Sequence, residues 1–251
     1  MTVPGTFDPS ARELIHAGLQ NLDEARSLFR QLSASGFDAA RCGLLLDALQ
    51  HVCDPDVALR NLVDIVNAQV SQGRALDDIV PDDTAFRQLV AVLGVSDAMG
   101  KLMRFRPDLV QAAATDHCNS HLYNHDQRRA HVLESVGADP NDRMSPTATM
   151  DLADAATALR RTYRNQLAAI IAQDTMSDDP IALQPRISSE LSDLADAALE
   201  GALAIARHEI TGSEHCRFAI IGMGKLGARE LNYVSDVDLI YVVKAADADT
   251  S

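Results

Sequence analysis

Apolar residues recur every three or four positions along most of the chain, and the period shortens to two only after Gly212. Leu14, Ile15, Leu19, Leu22, Ala25, Leu28, Phe29 and Leu32 make one face of a helix expected over Glu13–Leu32, ended by Gly36. Asp8 or Ser10 is its candidate cap, and residues 1–9, with Pro4, Gly5 and Pro9, read as a loose lead-in. A helix over Asp38–Val52 follows, and then Asp54-Pro55, cap and first position of a helix over Val57–Val70. Pro81 to Thr84 reads as a loop and N-cap before a helix through Phe86, Leu89, Val90 and Leu93, which Gly94 is expected to break. Ser96 or Asp97 then caps Ala98–Phe105, which must stop before Pro107. Residues 137–146, GADPNDRMSP, have linker composition. Helices are expected over Thr147–Gln173 and, opened by Ser188 or Ser189, on the stripe Leu191, Leu194, Ala198, Ala202 and Ile205. The fold class is therefore mostly α, a succession of helical hairpins or a bundle over 10–212, with a further domain beginning in 213–251.

That further domain opens with FAIIGMGKLGARELNYVSDVDLIYVV, residues 218–243. An apolar run leads to Gly222, Gly224 and Gly227, then to Asp236 and Asp238, then to Leu239-Ile240-Tyr241-Val242-Val243: strand, glycine turn, polar connection, strand. In a strand, residues two apart share a face, so the two carboxylates are expected side by side. Neighbouring carboxylates suit a hard divalent cation such as Mg²⁺, and a glycine turn after a strand lets backbone N–H groups approach a phosphate. Asp236 and Asp238 are the candidate metal ligands, and Gly222, Gly224, Lys225, Gly227 and Ser235 the candidate phosphate and nucleotide contacts.

The same glycines also satisfy G-x-G-x-x-G, with Asp247 twenty residues past Gly227, where a dinucleotide-binding fold keeps its ribose acid. Two carboxylates at the head of the second strand speak against that alternative, and a P-loop is excluded because Leu226 follows Lys225. His117, His121 and His125 have i, i+4 spacing, but the polar residues around them favour a solvated face over a metal site. Arg160, Arg161 and Arg164 make a basic spot on the expected helix, read as surface ion pairs or as forks for a phosphate.

Composition narrows the function classes. The 251 residues are 47% hydrophobic and only 4% aromatic, with no Trp, which suits helices packed through small aliphatic side chains. A net charge of −14 disfavours nucleic acid as a partner. Cys42, Cys53, Cys118 and Cys216 are scattered without a CxxC and read as reduced thiols. Neither a signal peptide nor an apolar run of about 20 residues is evident, so no membrane association and a cytoplasmic location are expected.

Gly224, eleven intervening residues and Asp236-Val237-Asp238 resemble the signature of the nucleotidyltransferase superfamily, and GMGKLGARELNYVSDVDLIYV resembles its form in glutamine synthetase adenylyltransferases. Leu159–Leu167 with Asp174 resembles the Arg-rich helix of those enzymes, Leu93–Asp97 leading to Arg106–Leu109 their LGxS…hP stretch, and Asp54–Leu62 fits as well. The resemblance implies a helical region followed by the start of an α+β nucleotidyltransferase-type mixed sheet. It also implies a multifunctional enzyme of nitrogen metabolism whose N-terminal half removes AMP from a tyrosine of glutamine synthetase by phosphorolysis to ADP. On that implication Asp236 and Asp238 are catalytic through Mg²⁺, the partners are glutamine synthetase, ATP, ADP or AMP, phosphate and a PII-type signal protein, and a chain stopping at Ser251 is expected to be inactive alone, with exposed apolar surface. A helical interaction module without catalysis is the remaining alternative.

Overall fold

The computed structural model describes residues 7–75, 79, 82–114 and 123–245. His117, Cys118, His121, Pro81, Asp247 and the tail from Ala246 lie outside them. The chain forms two compact units, one of residues 1–120 with 171–178 and the other of 121–170 with 179–251.

In the first unit the helices are α1 (Ala11–His16), α2 (Leu22–Ala34), α3 (Ala39–Leu49), α4 (Pro55–Ser71), α5 (Asp83–Val95), α6 (Asp97–Met103) and α7 (Pro107–Ala114). The expected single helix over Glu13–Leu32 is in fact α1 and α2. Ser10 caps α1 in a capping box with Glu13, Gly18 turns the chain at φ 81°, and Asn21 caps α2. The break is held from outside the local sequence, because the Asp56 carboxylate accepts the N–H groups of Gln20 (3.0 Å) and Asn21 (3.3 Å). Asp54 and Pro55 start α4 as their types predict. α5 runs through Gly94 to Val95, and the residue that ends it is Ser96, whose backbone caps α5 while its hydroxyl accepts the Met99 N–H at the start of α6.

The interior of this unit is aliphatic. Leu59, Leu62, Val63, Ile65 and Val66 of α4 meet α5, α6 and α2, and Leu89, Val90, Val92 and Leu93 of α5 are buried in turn. Two buried amides tie α4 to the ends of its neighbours: Asn61 donates to the Leu93 carbonyl and Gln69 to that of Met103. Burial in this core pushes the Cys42 thiol up to about 11, which suits an unreactive side chain.

The second unit contains α8 (His125–Ser135), most of α9 (Leu152–Thr175), α10 (Pro180–Glu209), a 3₁₀ turn at Ser213–His215, β1 (Cys216–Gly222), α11 (Gly224–Ala228) and β2 (Leu239–Ala245). α10 begins at Pro180 behind an Asp179 cap, well before the serines expected to open it, and it carries Pro185 within its first two turns. Leu133, Val136, Ala148, Ala155, Ala204 and Ile205 form one apolar cluster; Ile170, Ile187, Leu191, Leu194, Leu226 and Leu231 form another. The stretch 137–146 is irregular but held, since Arg129 of α8 donates to the carbonyls of Pro140 and Asp142 and grips Glu200 of α10 through two nitrogens.

β1 and β2 pair antiparallel, from Cys216 against Ala245 to Gly222 against Leu239. Much of this two-stranded sheet is open to solvent: Phe218, Ile221, Ile240, Tyr241, Val242 and Val243 are exposed. A dinucleotide-binding unit joins parallel strands by a crossover helix, so the antiparallel pairing overturns that alternative for the glycine motif. No helix among the described residues is long and apolar enough to cross a membrane.

Arg128 of α8 has a 1% exposed side chain between Glu190 of α10 and Gln166 of α9, to which it donates at 2.7 Å. Removing the carboxylate strands a buried charge. Glu190→Ala is expected to destabilise the unit by about 3–5 kcal/mol in urea unfolding, while the paired change Arg128→Met with Glu190→Leu is expected to be close to neutral.

Candidate functional site

The glycine turn is built by close backbone approach. A Cβ on Gly227 would lie 2.5 Å from the Gly222 carbonyl oxygen, so a side chain there would force the turn open. Gly224 sits at φ 52°, a conformation that favours glycine, and a Cβ on it would lie 3.2 Å from Asp238 Oδ2. The turn and the second carboxylate are thus in contact range. Leu226 of α11 anchors the turn, buried with Leu231, Leu191 and Leu194.

β2 starts only at Leu239, so Asp236 and Asp238 belong to the connection before it, and strand alternation does not govern their directions. Asp238 is nevertheless held by the ladder, since its carbonyl accepts the Met223 N–H at 2.8 Å, one step beyond the last strand pair. Both carboxylates are exposed. Lys225 and Ser235 also come together, with Nζ 3.4 Å from Oγ. The Ser235 hydroxyl donates to Asn232 Oδ1 at 2.8 Å and accepts the Asn232 N–H at 3.3 Å, which fixes the turn leading into Asp236.

Oxygen donors, an ammonium group and a tight glycine turn within one connection match what a Mg²⁺ ion with a phosphate requires: hard ligands for the metal, and a cation and close backbone for the anion. Asp236 and Asp238 would hold the ion, which when bound neutralises phosphate charge.

A second polar group lies beside the turn. His125, Asp193 and Asp196 bring ligand atoms within 4.8 Å of one another, but Asp193 Oδ1 is already shared between His125 Nδ1 at 2.9 Å and Arg229 Nη2 at 2.7 Å. The cation at this carboxylate is a guanidinium supplied by the chain itself. Burial raises the Asp196 carboxyl above the usual carboxylate range. A cavity of about 720 Å³ adjoins the group, with Arg143, Arg207 and Arg229 on its wall beside Phe218, Ile220 and Gly222.

Of this group the sequence pointed only to His125, as part of a histidine series read as a solvated face, and not to Asp193 or Asp196. Their signal is a run of polar residues, Ser189, Ser192, Asp193 and Asp196, recurring at helical spacing within an otherwise apolar helix. Within the basic spot of α9, Arg160 makes a local bond to Thr157 of its own helix. The buried arginines come from α8.

Comparison with known proteins gives the lineage. A family model described as glutamate-ammonia ligase adenylyltransferase matches residues 86–251. A bifunctional glutamine synthetase adenylyltransferase/adenylyl-removing enzyme of Bifidobacterium longum (strain DJO10A) is 68% identical over 97% of this chain and 23% of its own length. Proteins of the same name from Cutibacterium acnes and Mycobacterium avium are 32% and 34% identical, over 95% and 100% of this chain and 24% of theirs. The chain therefore spans about a quarter of the length of the curated relatives it matches. No solved structure matches it. With the match covering the helices from α5 onward and the whole glycine–carboxylate connection, this chain belongs to the glutamate-ammonia ligase adenylyltransferase family.

Proposed function

We propose that this chain contributes the opening part of a nucleotidyltransferase domain that removes AMP from a tyrosine of glutamine synthetase, with phosphate as acceptor and ADP as product. The observation that carries the reading is the turn closing on the Asp238 segment, with the Met223 N–H on the Asp238 carbonyl and no room for a side chain between Gly224 and the Asp238 carboxylate, and with Lys225 and Ser235 brought together in the same connection. The relatives' names supply the substrate and the pairing of adenylyl transfer with adenylyl removal.

In this reading Asp236 and Asp238 bind Mg²⁺. Gly222, Gly224 and Gly227 let the backbone close on the phosphate, and Lys225, oriented by Ser235, balances its charge. None of these side chains is poised as a general base, so positioning and charge neutralisation carry the rate. The location is cytoplasmic, and a PII-type signal protein is the regulator the family resemblance implies.

The test is release of ADP from adenylylated glutamine synthetase with phosphate and Mg²⁺, comparing this chain with one extended to the relatives' full length. The extended protein is expected to act and the 251-residue chain to be inactive or nearly so. Asp236→Asn with Asp238→Asn in the extended protein is expected to lower the rate on the order of a thousandfold, and an unaltered rate would remove the metal-pair assignment.

Gly224→Ala sets a methyl 3.2 Å from Asp238 Oδ2 at a φ that disfavours it. It is expected to lower activity by about tenfold to a hundredfold with helical circular dichroism unchanged.

A further inference from the structure

We propose that Arg229, Asp193 and Ser189 form a latch that positions the glycine turn against Asp238, making all three positioning residues for the site. Its functional half rests on reading Asp236 and Asp238 as the metal pair; its structural half does not.

Among the described residues Arg229 is the one non-glycine residue at positive φ, with φ 61° and ψ 38°. A bulky side chain in that region persists only where its surroundings over-determine it. Here they do. Arg229 Nη2 donates to Ser189 Oγ and Asp193 Oδ1, both at 2.7 Å, and both acceptors stand on α10 one turn apart. Its backbone N–H closes α11 on the Leu226 carbonyl, and the next N–H, that of Glu230, returns to Lys225 at 2.8 Å. Leu231 then enters the core with its N–H 3.5 Å from Ser192 Oγ.

The partner is costly to place. Asp193 lies on an apolar helix with its side chain 10% exposed, and a carboxylate at that depth needs a cation or donors. It has both, Arg229 and His125, the latter from the first turn of α8. The titratable groups facing the latch are therefore His125 of α8 and Asp193 and Asp196 of α10, with the Arg229 guanidinium at their centre.

Location along the chain gives the consequence. Arg229 stands five residues after Gly224, where a side chain would meet Asp238, and seven before Asp236. Both arms of the connection leave from the latched residue. Releasing the guanidinium frees the turn and the carboxylate arm together while the apolar anchors Leu226 and Leu231 remain.

Hydrogen exchange followed by mass spectrometry on this chain tests the structural half. Arg229→Asn keeps a residue that tolerates the left-handed conformation and removes the guanidinium; Arg229→Gly relieves the strain and removes it too; Asp193→Asn removes the partner's charge. In each, peptides over 223–238 are expected to exchange about tenfold faster, with 152–170, which lies outside the latch, unchanged. Arg229→Lys, which keeps the charge but not the fork, is expected to restore part of the protection. Unchanged exchange in Arg229→Asn overturns the latch. Faster exchange throughout the unit also overturns it, because the pair would then be a general structural contact.

The functional half is read in the protein extended to the relatives' length, by the Mn²⁺ concentration that protects the same peptides. Wild type is expected to be protected, Asp238→Asn not, and Arg229→Asn to need about tenfold more Mn²⁺. Equal Mn²⁺ dependence in wild type and Arg229→Asn overturns positioning. Equal behaviour of wild type and Asp238→Asn overturns the metal-pair reading and leaves the latch to stand or fall on its exchange data.

Discussion

The second unit depends on one helix that must bury polar side chains. α10 carries Ser188, Glu190, Ser192 and Asp193 at buried positions among leucines and alanines, and each is matched by a group delivered from elsewhere or from its own turn. Glu190 receives Arg128, Asp193 receives Arg229 and His125, and Ser192 returns its hydroxyl to the Ser188 carbonyl and meets the Leu231 N–H. Apolar packing alone would let α8, α9 and the glycine turn slide on α10. Charge-assisted bonds of fixed geometry choose one placement among many of similar apolar burial. The site-bearing connection is one of the elements so placed.

Much of the helical order was legible because it is encoded locally. Ser10, Asp54 and Ser96 are capping residues by type and cap in fact, and the spacing of Leu59, Leu62, Val63 and Val66 sets the buried face of α4. What was not legible depends on distant residues. The break between α1 and α2 is held by Asp56, thirty-five and thirty-six positions away from the amides it accepts. α10 starts at Pro180 rather than at the expected Ser188 or Ser189, and it tolerates Pro185 because a missing N–H matters less near a helix end.

At the site, the glycine turn between two strands was readable from composition and period, whereas the approach of Lys225 to Ser235 depends on how the connection folds. The strand start was placed too early, at Asp236 rather than Leu239, because alternation in so short a stretch does not separate a paired residue from an extended one. The group around Asp193 left only a faint mark. Polar residues on one side of an amphipathic helix read as surface until the fold brings Arg229 onto Asp193.

Ser96 shows how tightly the first unit is spaced. One residue serves as the last cap of α5 and the first cap of α6, so no slack separates them. Two helices joined through a single residue behave as one bent rod, its angle set by that residue's two torsions, φ −137° and ψ 98°. A push applied at α6 is delivered to α5 as rotation about this elbow, with no loop between them to absorb it.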